Sequence, residues 1–230
     1  MNITNKIAIT NEDNMELMAR YPDGYFDLAI VDPPYGIGMD GQKNNRCKNP
    51  KHNRKEHIKK NWDSSIPSPE YFAELFRISK NQIIWGGNYF TSLLKETKSW
   101  VFWYKGQNDL TMSDGEMAWT SFDKVTRQVT INRAELVKQN TIHPTEKPIK
   151  LYKWLLDKYA NQGDKILDTH LGSGSIAIAC YDYGFDLTAC ELDKDYYESA
   201  INRIKHHIAF NQSLFQPEEL LVTNQLFTDI

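Results

Sequence analysis

The sequence has few cysteines, no long apolar run and no overall excess of positive charge. Its three cysteines, Cys47, Cys180 and Cys190, are unevenly spaced and predict no disulfide framework, which favours the reducing cytoplasm. The longest apolar runs, such as residues 176–180, fall far short of the roughly 18 residues that cross a bilayer, so we expect no membrane-spanning helix and no membrane partner. The first residues also lack the basic and apolar stretches of a secretion signal.

The chain contains enough apolar and aromatic side chains to form a folded core. Hydrophobic residues make up 40% of its 230 residues and aromatic residues 12%, which excludes disorder throughout. Compact domains usually contain about 100 to 200 residues, and α/β domains often reach about 250. We therefore expect a single domain over residues 1–230.

Positive charge is concentrated in one segment of a chain that is slightly acidic overall. The 27 Lys and Arg residues and 30 Asp and Glu residues give a formal net charge of −3. Residues 43–60 hold eight basic residues and one acidic residue, a net charge of +7, so the rest of the chain carries −10. The segment is rich in asparagine and shows no apolar periodicity. We interpret residues 38–61 as a mobile basic loop suited to a polyanion, with a merely solvated loop as the alternative.

Short apolar runs and amphipathic stretches alternate along the chain, a pattern typical of α/β proteins. The predicted strands are residues 26–31, 82–85, 99–104, 116–122, 165–167 and 187–190. The predicted helices are residues 69–79, 145–159, 175–181 and 195–210. Residues 123–141 favour only a strand pair or an irregular insert.

A glycine-rich turn between a predicted strand and a predicted helix indicates a ligand site. Residues 172–177 fit the pattern G-x-G-x-x-A, in which glycines let the backbone approach a ligand and the helix offers unpaired N–H groups. Glu191 lies 19 residues after Gly172, at the end of the next strand, where its carboxylate can bind ribose hydroxyls. We therefore expect an adenosine-type ligand, either a dinucleotide or S-adenosylmethionine.

The charge of Asp168 favours one of these two ligands. This carboxylate ends the strand just before the glycines, where it would repel a pyrophosphate. S-adenosylmethionine has no phosphate and carries an ammonium and a sulfonium group, both of which a carboxylate attracts. We therefore predict S-adenosylmethionine as the cofactor.

A second motif, Asp32-Pro33-Pro34-Tyr35, follows the predicted strand at residues 26–31. The exocyclic amine of a base is a poor nucleophile, because its lone pair is delocalised into the ring. A carboxylate and a main-chain carbonyl that accept its two N–H groups would aim that lone pair at a methyl donor, and Asp32 and Pro33 can do so. The prolines fix the direction of the carbonyl, and the ring of Tyr35 can stack on a flipped base.

The order of these motifs resembles one family. Asp32-Pro33-Pro34-Tyr35 comes early, the sequence His-Pro-Thr-Glu-Lys-Pro at residues 143–148 comes later, and the glycine turn comes last, with a single predicted strand after it. This order is similar to that of the amino DNA methyltransferases of the β class. The resemblance implies an α/β fold of the Rossmann-like, S-adenosylmethionine-dependent methyltransferase type. Its mostly parallel sheet would have seven strands, one of them reversed, with helices on both faces and a circularly permuted motif order.

The resemblance also implies roles for individual residues. The catalytic residues would be Asp32, Pro33, Pro34 and Tyr35. The cofactor-binding residues would be His143, Thr145, Lys147, Asp168, His170, Gly172, Ser173, Gly174 and Glu191. Members of the family often have Pro-Phe where this chain has Thr169-His170, so contacts to the cofactor can differ in detail.

Double-stranded DNA is the partner that the resemblance implies, and the target-recognition segment would be residues 123–141. The expected DNA-binding residues are Lys43, Lys48, Lys51, Arg54, Lys55, Lys124, Arg127 and Arg133. Cys47, His52 and His57 lack the paired spacing of zinc ligands and have no evident fourth partner, so we predict no metal.

Adenine N6 is the acceptor that an initial Asp in the tetrapeptide favours within the family, whereas Ser is more typical of cytosine N4 enzymes. Cytosine N4 methylation and a catalytically silent DNA-binding module stay open as alternatives. A dinucleotide oxidoreductase would require the match of the tetrapeptide to the methyltransferase motif to be accidental. The sequence does not specify the recognition sequence, whether the chain forms a homodimer, or whether a cognate restriction nuclease accompanies it in a restriction–modification system.

Overall fold

The computed structural model describes residues 2–40, 60–106, 113–132 and 146–214, and every structural statement below concerns these residues. The strands are β1 (Ile7–Thr10), β2 (Phe26–Val31), β3 (Ser79–Trp85), β4 (Trp100–Tyr104), β5 (Gly115–Thr120), β6 (Arg127–Thr130), β7 (Lys165–Asp168) and β8 (Asp186–Cys190). The helices are α1 (Asn14–Met18), α2 (Pro69–Ile78), α3 (Ile149–Tyr159), α4 (Ser175–Tyr183) and α5 (Lys194–Leu214).

All eight described strands form one sheet in the order β1-β8-β7-β2-β3-β5-β4-β6. Strand β5 alone runs antiparallel to its neighbours β3 and β4, while the other pairings are parallel. The mostly parallel sheet with one reversed strand confirms the expected architecture. The described sheet has eight strands, one more than the seven that the resemblance implied. The apolar runs predicted six of the eight and missed the two short edge strands, β1 and β6.

Helices cover both faces of the sheet, as expected, because the central strands are buried on both sides. In β2, Leu28 and Ile30 belong to one core cluster, which also contains buried residues of α3, α4 and α5. Phe26 and Val31 belong to a second cluster, which contains buried residues of α1 and α2. Such near-continuous apolar runs are typical of parallel strands between two helical layers.

The boundaries of the predicted strands and helices agree with the structure to within a few residues. Three short elements, α1, β1 and β6, were not among the predicted ones. Helix α4 begins after Gly174 and ends before Gly184, and both glycines have a positive φ angle. At Gly184 this conformation lets the backbone N–H bond the last turn of the helix. None of the described helices, including the 21-residue α5, is long and apolar enough to cross a membrane.

Candidate active site

Three acidic residues lie at the same edge of the sheet. Asp32 follows β2, Asp168 is the last residue of β7, and Glu191 follows β8. Strands β8, β7 and β2 are parallel neighbours, so their carboxyl ends meet at one edge. Motifs that are far apart in the sequence therefore come together where doubly wound sheets place their ligands.

A cavity of about 710 Å³ opens at this edge. The residues expected from the sequence that line it are Asp32, Pro34, Lys147, His170, Gly172, Ser173 and Glu191. His143 and Thr145 lie outside the described residues. The cavity thus joins part of the tetrapeptide to the glycine turn.

The glycine turn is held by Glu191. One carboxylate oxygen accepts the backbone N–H of Gly172 at 2.8 Å, and the other accepts the N–H of Asp193 at 3.0 Å. Gly174 has a φ of 76°, and a Cβ there would lie 3.0 Å from the side chain of Ile204, so the close packing of α5 favours glycine at this position. Burial raises the pKa of Glu191, while these N–H groups oppose that effect. Each carboxylate oxygen can still accept a bond from a ligand hydroxyl.

Asp168 is 2% exposed and lies behind the glycine turn rather than among the residues that line the cavity. Its carboxylate accepts the backbone N–H of His170 at 3.0 Å. Burial raises the pKa of Asp168 to about 8, and the nearby carboxylates Asp32 and Glu191 add to that shift. A positively charged ligand in the cavity would favour the ionised form of this group.

The unusual Thr169-His170 pair fits into a network of polar side chains. Thr169 Oγ1 lies 2.7 Å from the hydroxyl of Tyr71 and 2.9 Å from His170 Nδ1, and His170 Nε2 lies 3.1 Å from Asn14 Nδ2. Burial lowers the pKa of His170 to about 4, so its imidazole is neutral at pH 7. His170 therefore offers the cavity a neutral polar wall.

The carboxylate of Asp32 is held by two neighbours. Oδ1 accepts the hydroxyl of Tyr35 at 2.6 Å, and Oδ2 accepts the ammonium group of Lys147 in a short ion pair. The resemblance implies that Lys147 binds the cofactor. In the structure, Lys147 also pairs with Asp32 of the tetrapeptide. Both carboxylate oxygens keep a second lone pair that is available to a substrate.

Lys147 belongs to a larger charged cluster that the sequence analysis missed. Its side chain is 2% exposed, and its Nζ lies 3.1 Å from Glu116 Oε2. The other oxygen of Glu116 lies 2.6 Å from Lys105 Nζ. Two carboxylates and two ammonium groups thus alternate in the order Asp32, Lys147, Glu116, Lys105, which we call the charge chain.

The ion pairs of the charge chain outweigh the effect of burial on the pKa values of Lys147 and Glu116, whereas the pKa of Asp32 stays above its ordinary value. Burial alone would lower the pKa of Lys147, but Asp32 and Glu116 outweigh it and raise that pKa. Burial would raise the pKa of Glu116, but the two lysines lower it to about 2. For Asp32, burial raises the pKa and Glu116 adds to this, while Lys147 opposes it. We conclude that Lys147 is protonated and Glu116 is ionised at pH 7.

The ring of Tyr35 packs among other aromatic side chains and does not line the cavity. It stacks on Tyr89 with a centroid distance of 5.1 Å and meets Phe90 edge-on at 6.1 Å. A Cβ at Gly86 would lie 2.2 Å from the ring of Tyr35, so glycine is required there. Tyr89 is 44% exposed and extends the stack toward solvent.

Asp63 fixes the backbone after the tetrapeptide. Its carboxylate, 2% exposed, accepts the backbone N–H groups of Tyr35 and Gly36 at 2.8 Å each and of Met39 at 2.7 Å. Met39 is exposed, and so is Ile37, two residues before it. Residues 35–39 therefore form a loop whose backbone is held by Asp63 and whose apolar side chains at Ile37 and Met39 face solvent.

The rim of the cavity is tied to the beginning of α5. Lys60 Nζ lies 2.6 Å from Asp193 and from Asp195, and its backbone N–H donates to Asp40 at 2.8 Å. At the other side, Arg203 Nη2 lies 2.9 Å from Glu146. The contacts of Lys60 hold residues 40 and 60, between which the basic segment is not described, near the candidate cofactor site.

The DNA-binding residues expected from the sequence fall into two groups. Lys124 and Arg127 are described, and they lie at the amino edge of the sheet: Arg127 begins β6, which is parallel to β4, and Lys124 donates to the carbonyl of Lys158 at the end of α3. This edge is opposite to Asp32, so the structure does not bring these two residues to the cavity. The others, Lys43, Lys48, Lys51, Arg54, Lys55 and Arg133, lie outside the described residues.

The residues considered as metal ligands, the expected recognition segment and the basic segment lie wholly or partly outside the described residues. Within the described ranges no group of His, Cys, Asp and Glu side chains could hold a metal ion, while Cys47, His52 and His57 fall outside them. Of the expected recognition segment, residues 123–132 are described and contain β6. Most of the basic segment 38–61 is likewise outside the described part of the chain.

The sequence and the fold of this chain are similar to those of known methyltransferases. The type II methyltransferase M.HpaI of Haemophilus parainfluenzae is 24% identical over an alignment of 225 positions, and the match covers 77% of this chain and 68% of that enzyme. The crystal structure of an M1.HpyAVI–SAM complex has a TM-score of 0.55 at 17% identity, covering 85% of this chain and 98% of its own.

Two further solved structures show the same fold. A putative DNA modification methylase from Thermus thermophilus, complexed with S-adenosyl-L-methionine, has a TM-score of 0.55 at 14% identity, covering 87% of this chain and 93% of its own. The cytosine-N4-specific PvuII DNA methyltransferase has a TM-score of 0.55 at 11% identity, covering 87% and 91%.

The profile of a protein family described as DNA methylase, N6_N4_Mtase, matches residues 51–202. This match spans well over half of the chain and includes the glycine turn, Glu191 and Lys147. The protein therefore belongs to the N6/N4 family of DNA methyltransferases.

Proposed function

We propose that the protein transfers a methyl group from S-adenosylmethionine to the exocyclic N6 amine of a flipped adenine in a short DNA site. One observation carries this proposal: the carboxylate of Asp32 and the glycine turn with Glu191 line the same cavity. A base amine at Asp32 and a methyl donor at the turn would therefore meet without any rearrangement of the sheet.

The residues of the cavity fit the proposed cofactor. S-adenosylmethionine supplies a methyl group on a positively charged sulfur. Glu191 would accept the ribose hydroxyls, and the backbone of Gly172 and Ser173 allows a close approach. Burial raises the pKa of Asp168 to about 8, and the positive charges of the cofactor would favour its ionised form, in which this carboxylate attracts the cofactor and would repel a pyrophosphate.

Asp32 would orient and polarise the amine of the base. One amine N–H donates to a free lone pair of its carboxylate, and the carbonyl of Pro33 would accept the other. As the nitrogen bonds to the methyl carbon, the carbon–sulfur bond breaks and the sulfur keeps the bonding pair as a neutral thioether. The nitrogen then carries the positive charge, and one of its protons passes to Asp32 and on to solvent.

Adenine is favoured over cytosine by the initial Asp of the tetrapeptide, since Ser is more typical there in cytosine N4 enzymes. Cytosine N4 is the second candidate, because both acceptors are exocyclic amines and a structural neighbour of this chain is cytosine-N4-specific. The same Asp32 geometry would serve either base.

Nucleoside mass spectrometry after incubation of DNA with the protein and S-adenosylmethionine tests the proposal. We expect N6-methyladenine from the wild-type protein and a loss of about a hundredfold or more in rate from Asp32→Ala, because the amine loses its acceptor. N4-methylcytosine would instead support the second candidate, and no methylated base despite bound cofactor would support a silent DNA-binding module.

Replacing Glu191 tests the cofactor site separately from the chemistry. In Glu191→Gln, the loss of a charged acceptor should weaken S-adenosylmethionine binding about tenfold to a hundredfold in isothermal titration calorimetry. Glu198→Gln, an exposed change on α5, is the matched control and should bind normally. Equal affinities for the two variants would remove Glu191 from the cofactor site.

The basic segment should supply much of the affinity for DNA. Replacing Lys51, Arg54 and Lys55 with Gln should weaken DNA binding. The slope of the logarithm of the binding constant against the logarithm of the salt concentration should also become shallower by about 1 for each phosphate that is no longer neutralised. Lys124 and Arg127, at the opposite edge of the sheet, form the matched pair of replacements. Should the second set weaken binding while the first does not, DNA would bind at the amino edge and the proposal would be wrong on this point.

A further inference from the structure

Glu116 connects the tetrapeptide to the reversed strand of the sheet. It lies on β5, and its two carboxylate oxygens contact different lysines: Oε2 is 3.1 Å from Lys147 Nζ, and Oε1 is 2.6 Å from Lys105 Nζ. Lys147 in turn pairs with Asp32. A single ammonium group is thus shared between the proposed catalytic carboxylate and a second carboxylate.

We propose that Glu116 and Lys105 are positioning residues for methyl transfer, which act through Lys147 to set how strongly Asp32 accepts the proton of the substrate amine. This inference rests on the proposed function, in which Asp32 is the acceptor. It assigns a role to two residues that lie outside the sequence motifs and do not line the cavity.

The sharing of Lys147 is what gives Glu116 its influence. If Lys147 faced Asp32 alone, it would neutralise that carboxylate and weaken it as an acceptor. With Glu116 on its other side, Lys147 divides its hydrogen bonds, so Asp32 keeps more of its negative charge for the substrate. The negative potential also stabilises the positive charge that develops on the amine nitrogen during methyl transfer.

Lys105 limits this effect from the far end of the charge chain. Its ammonium group holds one oxygen of Glu116 and lies 5.2 Å from the centre of the Trp103 ring. Without Lys105, Glu116 would act on Lys147 and Asp32 with its full charge. The two residues should therefore shift the behaviour of Asp32 in opposite directions.

A purely structural ion pair is the alternative explanation for the charge chain. Buried ion pairs contribute little net stability, because desolvation offsets the Coulomb attraction. Removal of either partner would then destabilise the fold and lower activity without a directed change in the pH profile. The pH dependence of catalysis separates the two explanations.

The expected direction follows from the charges around Asp32. Burial raises its pKa, Glu116 raises it further, and Lys147 lowers it. Loss of the charge of Glu116 therefore lowers the pKa of Asp32, whereas loss of Lys105 raises it. Since Asp32 must be ionised to accept the amine proton, the acidic limb of the kcat profile moves with this pKa. Among the described residues, the other titratable groups that interact with Asp32 include Tyr35, Tyr71, Tyr152 and Asp168.

Transfer of a labelled methyl group into DNA, measured against pH, tests the proposal whichever base accepts it. In Glu116→Gln, we expect the acidic limb to move to lower pH while the plateau of kcat falls about tenfold, because Asp32 becomes a weaker acceptor of the amine proton. In Lys105→Gln, the limb should move to higher pH. Asp182→Asn, near the C-terminal end of α4 and away from the glycine turn, removes a partner of Lys153 and His207 and should leave the profile unchanged.

A second readout does not depend on activity. The carboxyl pKa of Asp32, followed by NMR in protein with labelled aspartate and assigned by Asp32→Asn, should fall in Glu116→Gln and rise in Lys105→Gln. Shifts in the same direction for both variants, or none, would overturn the positioning role, whether or not the protein proves to be an adenine methyltransferase. A wild-type protein that makes N4-methylcytosine with these opposite shifts would overturn only the choice of base.

Discussion

The ammonium group of Lys147 is the interaction on which the arrangement of the site depends. It lies between Asp32 and Glu116 with almost no exposure to solvent, so it fixes the carboxyl end of β2 against the reversed strand β5. A buried lysine requires such partners, because an unpaired charge would be strongly disfavoured there. The two carboxylates therefore stabilise Lys147, and Lys147 in turn keeps two like charges close together.

The order of the strands brings the glycine turn next to the tetrapeptide. Strand β2, which carries the early tetrapeptide, pairs with β7, which carries the late glycine turn, so over a hundred residues of chain lie between two adjacent strands. The acids Asp32, Asp168 and Glu191 consequently meet at one edge, although Asp32 is far from the other two in the sequence. The early position of the tetrapeptide is compatible with this geometry, because the positions of the strands decide which residues face the cavity.

Much of the fold and part of the site could be predicted from the sequence, because those features depend on local patterns. The strand at 26–31 was predicted from its apolar run, and the glycine turn with Glu191 from its spacing. Strand β1 was not predicted, since four residues at the edge of a sheet give too short a pattern. Lys105 and Glu116 were also missed, because each looks like an ordinary charged residue until β4 and β5 pair with the rest of the sheet. The signal in the sequence was a Lys directly after the apolar strand β4 and a Glu near the beginning of the mostly apolar strand β5.

A double-mutant cycle on Asp32→Asn and Lys147→Met is the most direct test of the central claim that Lys147 acts on methyl transfer through Asp32. The measurement is the single-turnover rate of transfer at saturating cofactor for each single variant and for the double variant. The account predicts that the double variant is about as slow as Asp32→Asn alone, since Lys147 has no remaining partner in the chemistry. Losses that simply add would contradict the account and place Lys147 at the cofactor instead.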